Sequence, residues 1–168
     1  NIIIIGIYSA LVGFLFFNWP PSKMYMGDTG SQFLGVLLAA FGIVFIWNYK
    51  ESDLNEIPTK QVCAVILFFA LPIIDTTTVS IKRILRGKSP FIGGKDHTTH
   101  HLSYLGLTEK QVAVVYAVLS GISMILGLVC LNIKAWNHYY TMGFAAYFLI
   151  LFSVLFYIAN INKERSLD

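Results

Sequence analysis

The sequence predicts an all-α, polytopic integral membrane protein: one helical bundle of about five transmembrane helices, formed by residues 1–168 as a single membrane domain. Composition is the first reason. Of the residues, 56% are apolar and 12% are charged, whereas soluble domains average about 45–50% and about 25%. The second reason is that apolar windows of roughly 20 residues, the length of a membrane helix, recur along the chain. These windows cover about 2–18, 30–49, 61–81, 111–132 and 139–160.

The first window begins directly after Asn1, with no basic stretch and no small-residue cleavage site in front of it. A secretory signal peptide would show both features. We therefore interpret the window as a membrane helix, and the chain as the C-terminal part of a larger protein. Pro20 and Pro21 follow this window, and they are expected to end the helix because proline cannot donate a backbone hydrogen bond.

The second window is preceded by the stretch "MGDTGSQFLG", residues 26–35. Asp28 or Thr29 could cap the helix, because their side-chain oxygens accept hydrogen bonds from the first amides of a helix. Asp28 is also a candidate ligand for a cation. The sequence at this point leaves both interpretations open.

The third window contains Pro72 and Asp75. Proline inside a helix predicts a kink. A carboxylate at membrane depth costs about 2.5–3.5 kcal/mol on insertion scales, so Asp75 should have a partner inside the bundle. On a regular helix it shares a stripe with Lys82 and Arg86, and a structural ion pair with either one is an alternative to a functional role.

The basic residues predict the orientation in the membrane, since cytoplasmic loops carry an excess of Lys and Arg. Segment 82–108 has five of them against one acid, whereas 50–60 is balanced. We therefore expect cytoplasmic loops at about 19–29 and 82–108, and external loops at about 50–60 and 133–138. The net charge of +3 then reflects topology and gives no indication of nucleic-acid binding. The basic residues of the loop are Lys82, Arg83, Arg86, Lys88 and Lys95.

The loop also carries His97, His100 and His101. On a helix these could share one face at a spacing compatible with Zn²⁺. The alternative, favoured by the neighbouring arginines, is a surface that donates hydrogen bonds to phosphate. After the histidines, Thr108 and Gln111 have the spacing of a capping box that would begin the fourth helix.

Two acids, a basic cluster and three histidines are thus expected at one face of the membrane. Carboxylates suit Mg²⁺, and cationic groups suit phosphate, so the pattern favours phosphoryl chemistry on a lipid-borne substrate. One alternative is a transporter or packing subunit in which Asp75 lines a path. A weaker one is an intramembrane aspartyl protease, whose Gly-x-Gly-Asp pattern would need glycine where this chain has Tyr25.

Three stretches carry a family resemblance: "PPSKMYMGDTGSQFLG", "LPIIDTTTVSIKRILRGKSPF" and "DHTTHHLSYLGLT". In order and spacing they resemble the polyprenyl-phosphate N-acetylhexosamine-1-phosphate transferases, glycosyltransferase family 4. The resemblance covers roughly residues 10–110. It is closest to the undecaprenyl-phosphate N-acetylglucosamine-1-phosphate transferase branch.

The resemblance implies transfer of N-acetylhexosamine-1-phosphate from a UDP-sugar to undecaprenyl phosphate, with release of UMP, for a cell-envelope polysaccharide. It implies Mg²⁺, with Mn²⁺ as an alternative, and a multi-pass protein of the bacterial cytoplasmic membrane whose active face is cytoplasmic. The partners are then the UDP-N-acetylhexosamine, undecaprenyl phosphate and the lipid bilayer. A homodimer is left open.

The resemblance also implies residue roles. Asp28 matches the aspartate that holds Mg²⁺, and Asp75 and Arg83 match catalytic positions. His100 and His101 match the paired histidines that engage the donor phosphates, and further binding candidates lie beside them: His97, Lys82 and Arg86.

The chain departs from the family pattern at two points. Thr98 stands where the pattern has its first histidine, and His97 precedes it. The family's Asp-Asp motif lies upstream of all three stretches, and residues 1–27 contain no acid. We therefore expect the chain to hold part of the active site, to lack an N-terminal half, and to be inactive alone.

Overall fold

The computed structural model describes residues 2–48, 59–91 and 97–161. Every regular element among them is helical, which confirms the predicted all-α class. Asn1 and the segments 49–58, 92–96 and 162–168 lie outside the described residues. The predicted basic residue Lys95 is therefore not described. The helices are α1 (Ile2–Asn18), α2 (Gly27–Phe41) with a π-helical continuation (Gly42–Trp47), α3 (Thr59–Phe68), α4 (Ala70–Leu85), α5 (Thr98–Tyr104), α6 (Glu109–Asn132) and α7 (His138–Ile161).

The chain divides into two compact units, Asn1–Ala40 and Phe41–Asp168. The single membrane domain stays a prediction. In the first unit, α2 begins at Gly27, whose φ of +66° is a conformation that suits glycine. Asp28 therefore lies within the first turn of the helix. The expectation that Asp28 or Thr29 precedes the helix as its cap is wrong, because the helix begins before both residues.

Three described helices are long and apolar enough to cross a membrane: Gly27–Trp47, Glu109–Asn132 and His138–Ile161. A fourth span results if the bent pair α3–α4 counts as one. Together they confirm a polytopic helical membrane bundle. The remaining predicted window corresponds to α1, which has 17 residues and would be shorter than the roughly 30 Å core of a bilayer at about 1.5 Å per residue.

The bend between α3 and α4 measures 77° and confirms the kink predicted from Pro72. Proline has no N–H to offer the carbonyl of Phe68, four residues earlier, and its ring collides with that carbonyl. Backbone hydrogen bonds nevertheless continue on both sides of the bend. Phe69 N–H donates to Val65 O and Ile73 N–H donates to Phe69 O, each at 3.0 Å.

The bent pair runs along the full length of α7. At its start, Lys60 Nζ donates to Ile133 O at 2.8 Å, beside the turn that joins α6 to α7. At its other end, Lys82 Nζ donates to Ala159 O at 2.6 Å, in the last turn of α7. Since α7 runs from the first of these ends to the second, the pair has the extent of one broken span. The end of α4 and the end of α7 therefore lie together.

Two apolar clusters hold the second unit together. One packs α3 against α6, where Gly127 allows the ring of Phe68 to approach. The other packs α4 against α7 around Ile74 and Leu155. The predicted capping box at the start of α6 is confirmed. Thr108 N–H donates to Gln111 Oε1 at 2.8 Å, and Gln111 N–H donates to Thr108 Oγ1 at 3.4 Å.

Candidate functional site

Asp75, on α4, is hydrogen-bonded to the first residues of the short helix α5. Its Oδ1 accepts from the backbone N–H of Thr98 at 2.7 Å and from Thr98 Oγ1 at 2.6 Å. Its Oδ2 lies 2.7 Å from His97 Nδ1. The sequence leaves open an ion pair of Asp75 with Lys82 or Arg86. The structure pairs Asp75 with His97, which is 22 positions later in the chain.

This pairing orients the imidazole of His97. An ionised carboxylate only accepts hydrogen bonds, so Nδ1 must carry the shared proton. Nε2 is then the ring nitrogen left for a ligand. Side-chain exposure supports this: His97 is 51% exposed, whereas Asp75 is 22% exposed. An exposed imidazole held by a carboxylate can accept a proton or, once protonated, donate to an anion.

Thr98 and Tyr116 extend the network into the bundle. Thr98 is 1% exposed, and its hydroxyl contacts the hydroxyl of Tyr116 on α6. Because the single proton of the threonine hydroxyl goes to Asp75, the tyrosine must be the donor in this contact. Thr98, the residue at which the chain departs from the family pattern, is therefore buried and links α4 to α6. Sequence reasoning missed both residues, and the unsatisfied Asp75 was the one signal that a partner was needed.

The three histidines do not lie in one environment. His97 and His100 are exposed, and their ring centroids are 6.4 Å apart. His101 is completely buried, and its Nε2 lies 2.9 Å from Lys82 Nζ. Among the described residues, no three His, Cys, Asp or Glu side chains are arranged to hold a metal ion. This arrangement fits the phosphate-donor interpretation better than the zinc interpretation.

The basic residues of the same region are partly committed to the fold. Lys82 is 5% exposed and joins His101 to the last turn of α7. Arg83 is 7% exposed, and its Nη1 donates to Pro90 O at 3.2 Å. Arg86 is half-buried. Of the three predicted basic site residues, Arg86 is thus the most accessible to a substrate in this conformation.

Asp28 belongs to the first unit and is exposed. Its backbone carbonyl accepts from Ser31 Oγ at 3.0 Å. Within the described part of the chain, no hydrogen bond or ion pair uses its carboxylate. Mg²⁺ is commonly held by one or two carboxylates together with substrate phosphates. An exposed carboxylate that bonds to no other described residue fits that mode of binding.

Comparison with known proteins finds one family profile that matches part of the chain. The sequence profile described as "Glycosyl transferase family 4" matches residues 1–46. This region includes Asp28. No solved structure gives a significant match to the chain.

Curated relatives align over a longer stretch. A probable undecaprenyl-phosphate N-acetylglucosaminyl 1-phosphate transferase of Bacillus subtilis is 32% identical over 130 residues, which cover 77% of this chain and 34% of the relative. A phospho-N-acetylmuramoyl-pentapeptide-transferase of Pelagibacter ubique is also 32% identical, over 77% of this chain and 32% of the relative. The corresponding transferase of Thermotoga maritima is 29% identical, over 76% and 37%. The chain therefore spans about a third of the length of the relatives that it matches.

Proposed function

The chain is a sequence relative of glycosyl transferase family 4, and from this premise we propose that its protein transfers N-acetylhexosamine-1-phosphate from a UDP-sugar to undecaprenyl phosphate. The names of the relatives support this reaction class. The observation that carries the proposal for this chain is the pairing of Asp75 with His97. Two of the three stretches that resemble the family meet there, and an exposed imidazole is left for a phosphate.

The proposed chemistry is a substitution at phosphorus. An oxygen of undecaprenyl phosphate forms a bond to the sugar-bearing phosphorus of the donor, and the bond from that phosphorus to the bridging oxygen breaks. The bridging oxygen leaves on UMP. The protein must hold several negative charges close together while this happens, and preorganised donors are the usual means of stabilising them.

His97 and His100 are the proposed donors to the phosphates of the UDP-sugar, since both are exposed. Asp75 keeps His97 in one orientation, and the imidazole, once protonated, donates to phosphate through its Nε2–H. Among Lys82, Arg83 and Arg86, the half-buried Arg86 is the proposed further contact to these phosphates. Lys82 and His101, buried against each other, are proposed to support this surface from within.

Asp28 is the proposed ligand for Mg²⁺, which supplies charge neutralisation at the diphosphate when it is bound. An exposed carboxylate in the first turn of a helix can hold such an ion without rearranging any of the hydrogen bonds described above. Mn²⁺ prefers similar oxygen ligands and is expected to substitute for it.

We also propose that residues 1–168 carry part of the active site. The acids expected to handle the lipid phosphate have no counterpart in residues 1–27. The proposed location is the bacterial cytoplasmic membrane, with the end of the bundle that contains α5 facing the cytoplasm. The basic residues Lys82 to Lys88 support this orientation.

The test is UMP release in detergent micelles that contain undecaprenyl phosphate and UDP-N-acetylglucosamine. Two forms are compared: residues 1–168, and the same chain with any in-frame coding sequence upstream of Asn1. We expect UMP release from the extended form, dependent on both substrates, and none from residues 1–168. A folded extended form that contains an Asp-Asp motif but turns over no UDP-N-acetylhexosamine would refute the proposal.

A matched pair of histidine variants locates the site. His97→Gln removes the exposed imidazole at Asp75, and His138→Gln removes an exposed imidazole at the start of α7. Both variants are made in the extended form, where turnover is expected to fall in the first and to stay unchanged in the second. Equal losses would show that the effect is not specific to the proposed site.

A further inference from the structure

We propose that Thr98 and Tyr116 are positioning residues, which fix Asp75 and His97 in the orientation needed to bind the phosphates of the donor. This inference rests on the proposed function. The family resemblance assigns no role to either residue, and at position 98 the chain departs from the family pattern.

The hydrogen bonds form a continuous line from one helix to the next. Tyr116 on α6 donates to Thr98 Oγ1, and Thr98 Oγ1 donates to Asp75 Oδ1 at 2.6 Å. The other oxygen of Asp75 holds His97 at 2.7 Å. Each hydroxyl has one proton, so the direction of donation is fixed along the whole line. Removing the tyrosine hydroxyl leaves the buried threonine oxygen without its donor.

These hydrogen bonds are needed to orient α5, because this helix has only seven residues. A helix this short is not stable alone, so contacts with its neighbours must set its orientation. By contrast, α6 has 24 residues and a capping box at its start. Tyr116 lies two turns into α6 and can therefore serve as a fixed point for the loop that carries the histidines.

The chain provides a matched control for the tyrosine. Tyr147 on α7 shares a hydrogen bond of 2.8 Å with Ser123 on α6. This is also a contact between tyrosine and a small hydroxyl residue that joins two helices, but it does not reach Asp75 or α5. Tyr116→Phe and Tyr147→Phe each remove one hydroxyl from such a pair.

A second control serves the threonine. Thr78 on α4 is fully buried, and its hydroxyl has no hydrogen-bond partner among the described residues. Thr98→Val and Thr78→Val make the same change at two buried sites. Thr98→Ser keeps the hydroxyl and is the conservative variant that should restore function.

The first measurement is steady-state sugar-phosphate transfer by the extended form in micelles, with KM determined for each substrate. Tyr116→Phe should raise KM for the UDP-sugar about fivefold, the factor supplied by one typical hydrogen bond. Thr98→Val should raise it about tenfold, since hydrogen bonds to charged groups are stronger. KM for undecaprenyl phosphate should not change, and Thr98→Ser should remain near wild type.

The double variant tests whether the two residues act in one line. If Tyr116 acts through Thr98, then Tyr116→Phe combined with Thr98→Val should be no worse than Thr98→Val alone. The proposal is overturned if the two effects multiply, if Tyr116→Phe behaves like Tyr147→Phe, or if kcat falls while neither KM changes.

The second measurement does not need activity. Amide hydrogen exchange of residues 98–104 should become about fivefold faster in Tyr116→Phe, because the anchored state of α5 loses one hydrogen bond. Tyr147→Phe should leave this exchange unchanged. Faster exchange without any sugar-phosphate transfer would refute the proposed function but keep the positioning role. Sugar-phosphate transfer by Tyr116→Phe with unchanged exchange and an unchanged KM for the UDP-sugar would refute the positioning role but keep the proposed function.

Discussion

Replacing Asp75 by asparagine tests the central contact of the site. The carboxylate accepts three hydrogen bonds, two from Thr98 and one from His97. Asparagine can keep both bonds from Thr98 through its carbonyl oxygen. Its amide nitrogen then faces His97 Nδ1, so two donors meet where a donor and an acceptor met before.

The magnitude follows from that one lost bond. A hydrogen bond to a charged group contributes about 1.5–3 kcal/mol. Because the imidazole of His97 is 51% exposed, water competes for it, and the lower value of about 1.5 kcal/mol applies. This corresponds to a loss of about tenfold. His97 can relieve the conflict by moving its proton to Nε2. Its Nδ1 then accepts only a neutral hydrogen bond from the amide, which is weaker than the bond to the carboxylate.

The assay is the initial rate of UMP release by the extended protein, with folding checked by circular dichroism and size-exclusion chromatography in detergent. We expect Asp75→Asn to lower kcat/KM for the UDP-sugar at least tenfold. The control is Thr76→Val, an exposed neighbour on the same helix, which should be neutral. A loss of less than twofold in a folded Asp75→Asn protein would contradict the reasoning, because the pairing with His97 would then contribute nothing to the site.

Three further predictions concern other parts of the chain. In the extended form, Asp28→Asn should cut turnover by orders of magnitude without lowering the thermal midpoint, since no described hydrogen bond uses its carboxylate. A near-normal rate at saturating Mg²⁺ would exclude the ligand role. Gly127→Ala should destabilise the protein by about 2 kcal/mol relative to Gly121→Ala in thermal unfolding. A Cβ added at Gly127 would lie 2.9 Å from a phenylalanine ring of α3, whereas a Cβ added at Gly121 would meet no atom within 4 Å. Lys82→Met should cost about 1–3 kcal/mol of stability, against less than about 0.5 kcal/mol for the exposed Lys88→Met; equal midpoints would show that the buried ammonium does not join α4 to α7.

Features that depend on composition and on local geometry were predictable from the sequence. The apolar windows gave the helical membrane class, because a bilayer requires long apolar helices whose backbone groups are satisfied internally. Pro72 gave the kink, since the missing N–H acts within one turn. Thr108 and Gln111 gave the start of α6, since a capping box involves residues three positions apart.

Asp28 shows where local reasoning failed. Its side chain suits a helix cap, but the cap position depends on which residue begins the helix, and the helix begins at Gly27. The resemblance to the transferases was confirmed by the comparisons. The Mg²⁺ role of Asp28 stays a prediction.

Only the tertiary structure decided which polar groups meet. The sequence identified Asp75 as a carboxylate in need of a partner, and it grouped three histidines by spacing. Because α5 packs against α4, α6 and α7, His97 and Thr98 bond to Asp75, and Tyr116 contacts Thr98. The same packing buries His101 against Lys82. A pattern of spacing along one helix cannot predict these contacts, because they join residues 18 to 23 positions apart and depend on how separate helices pack.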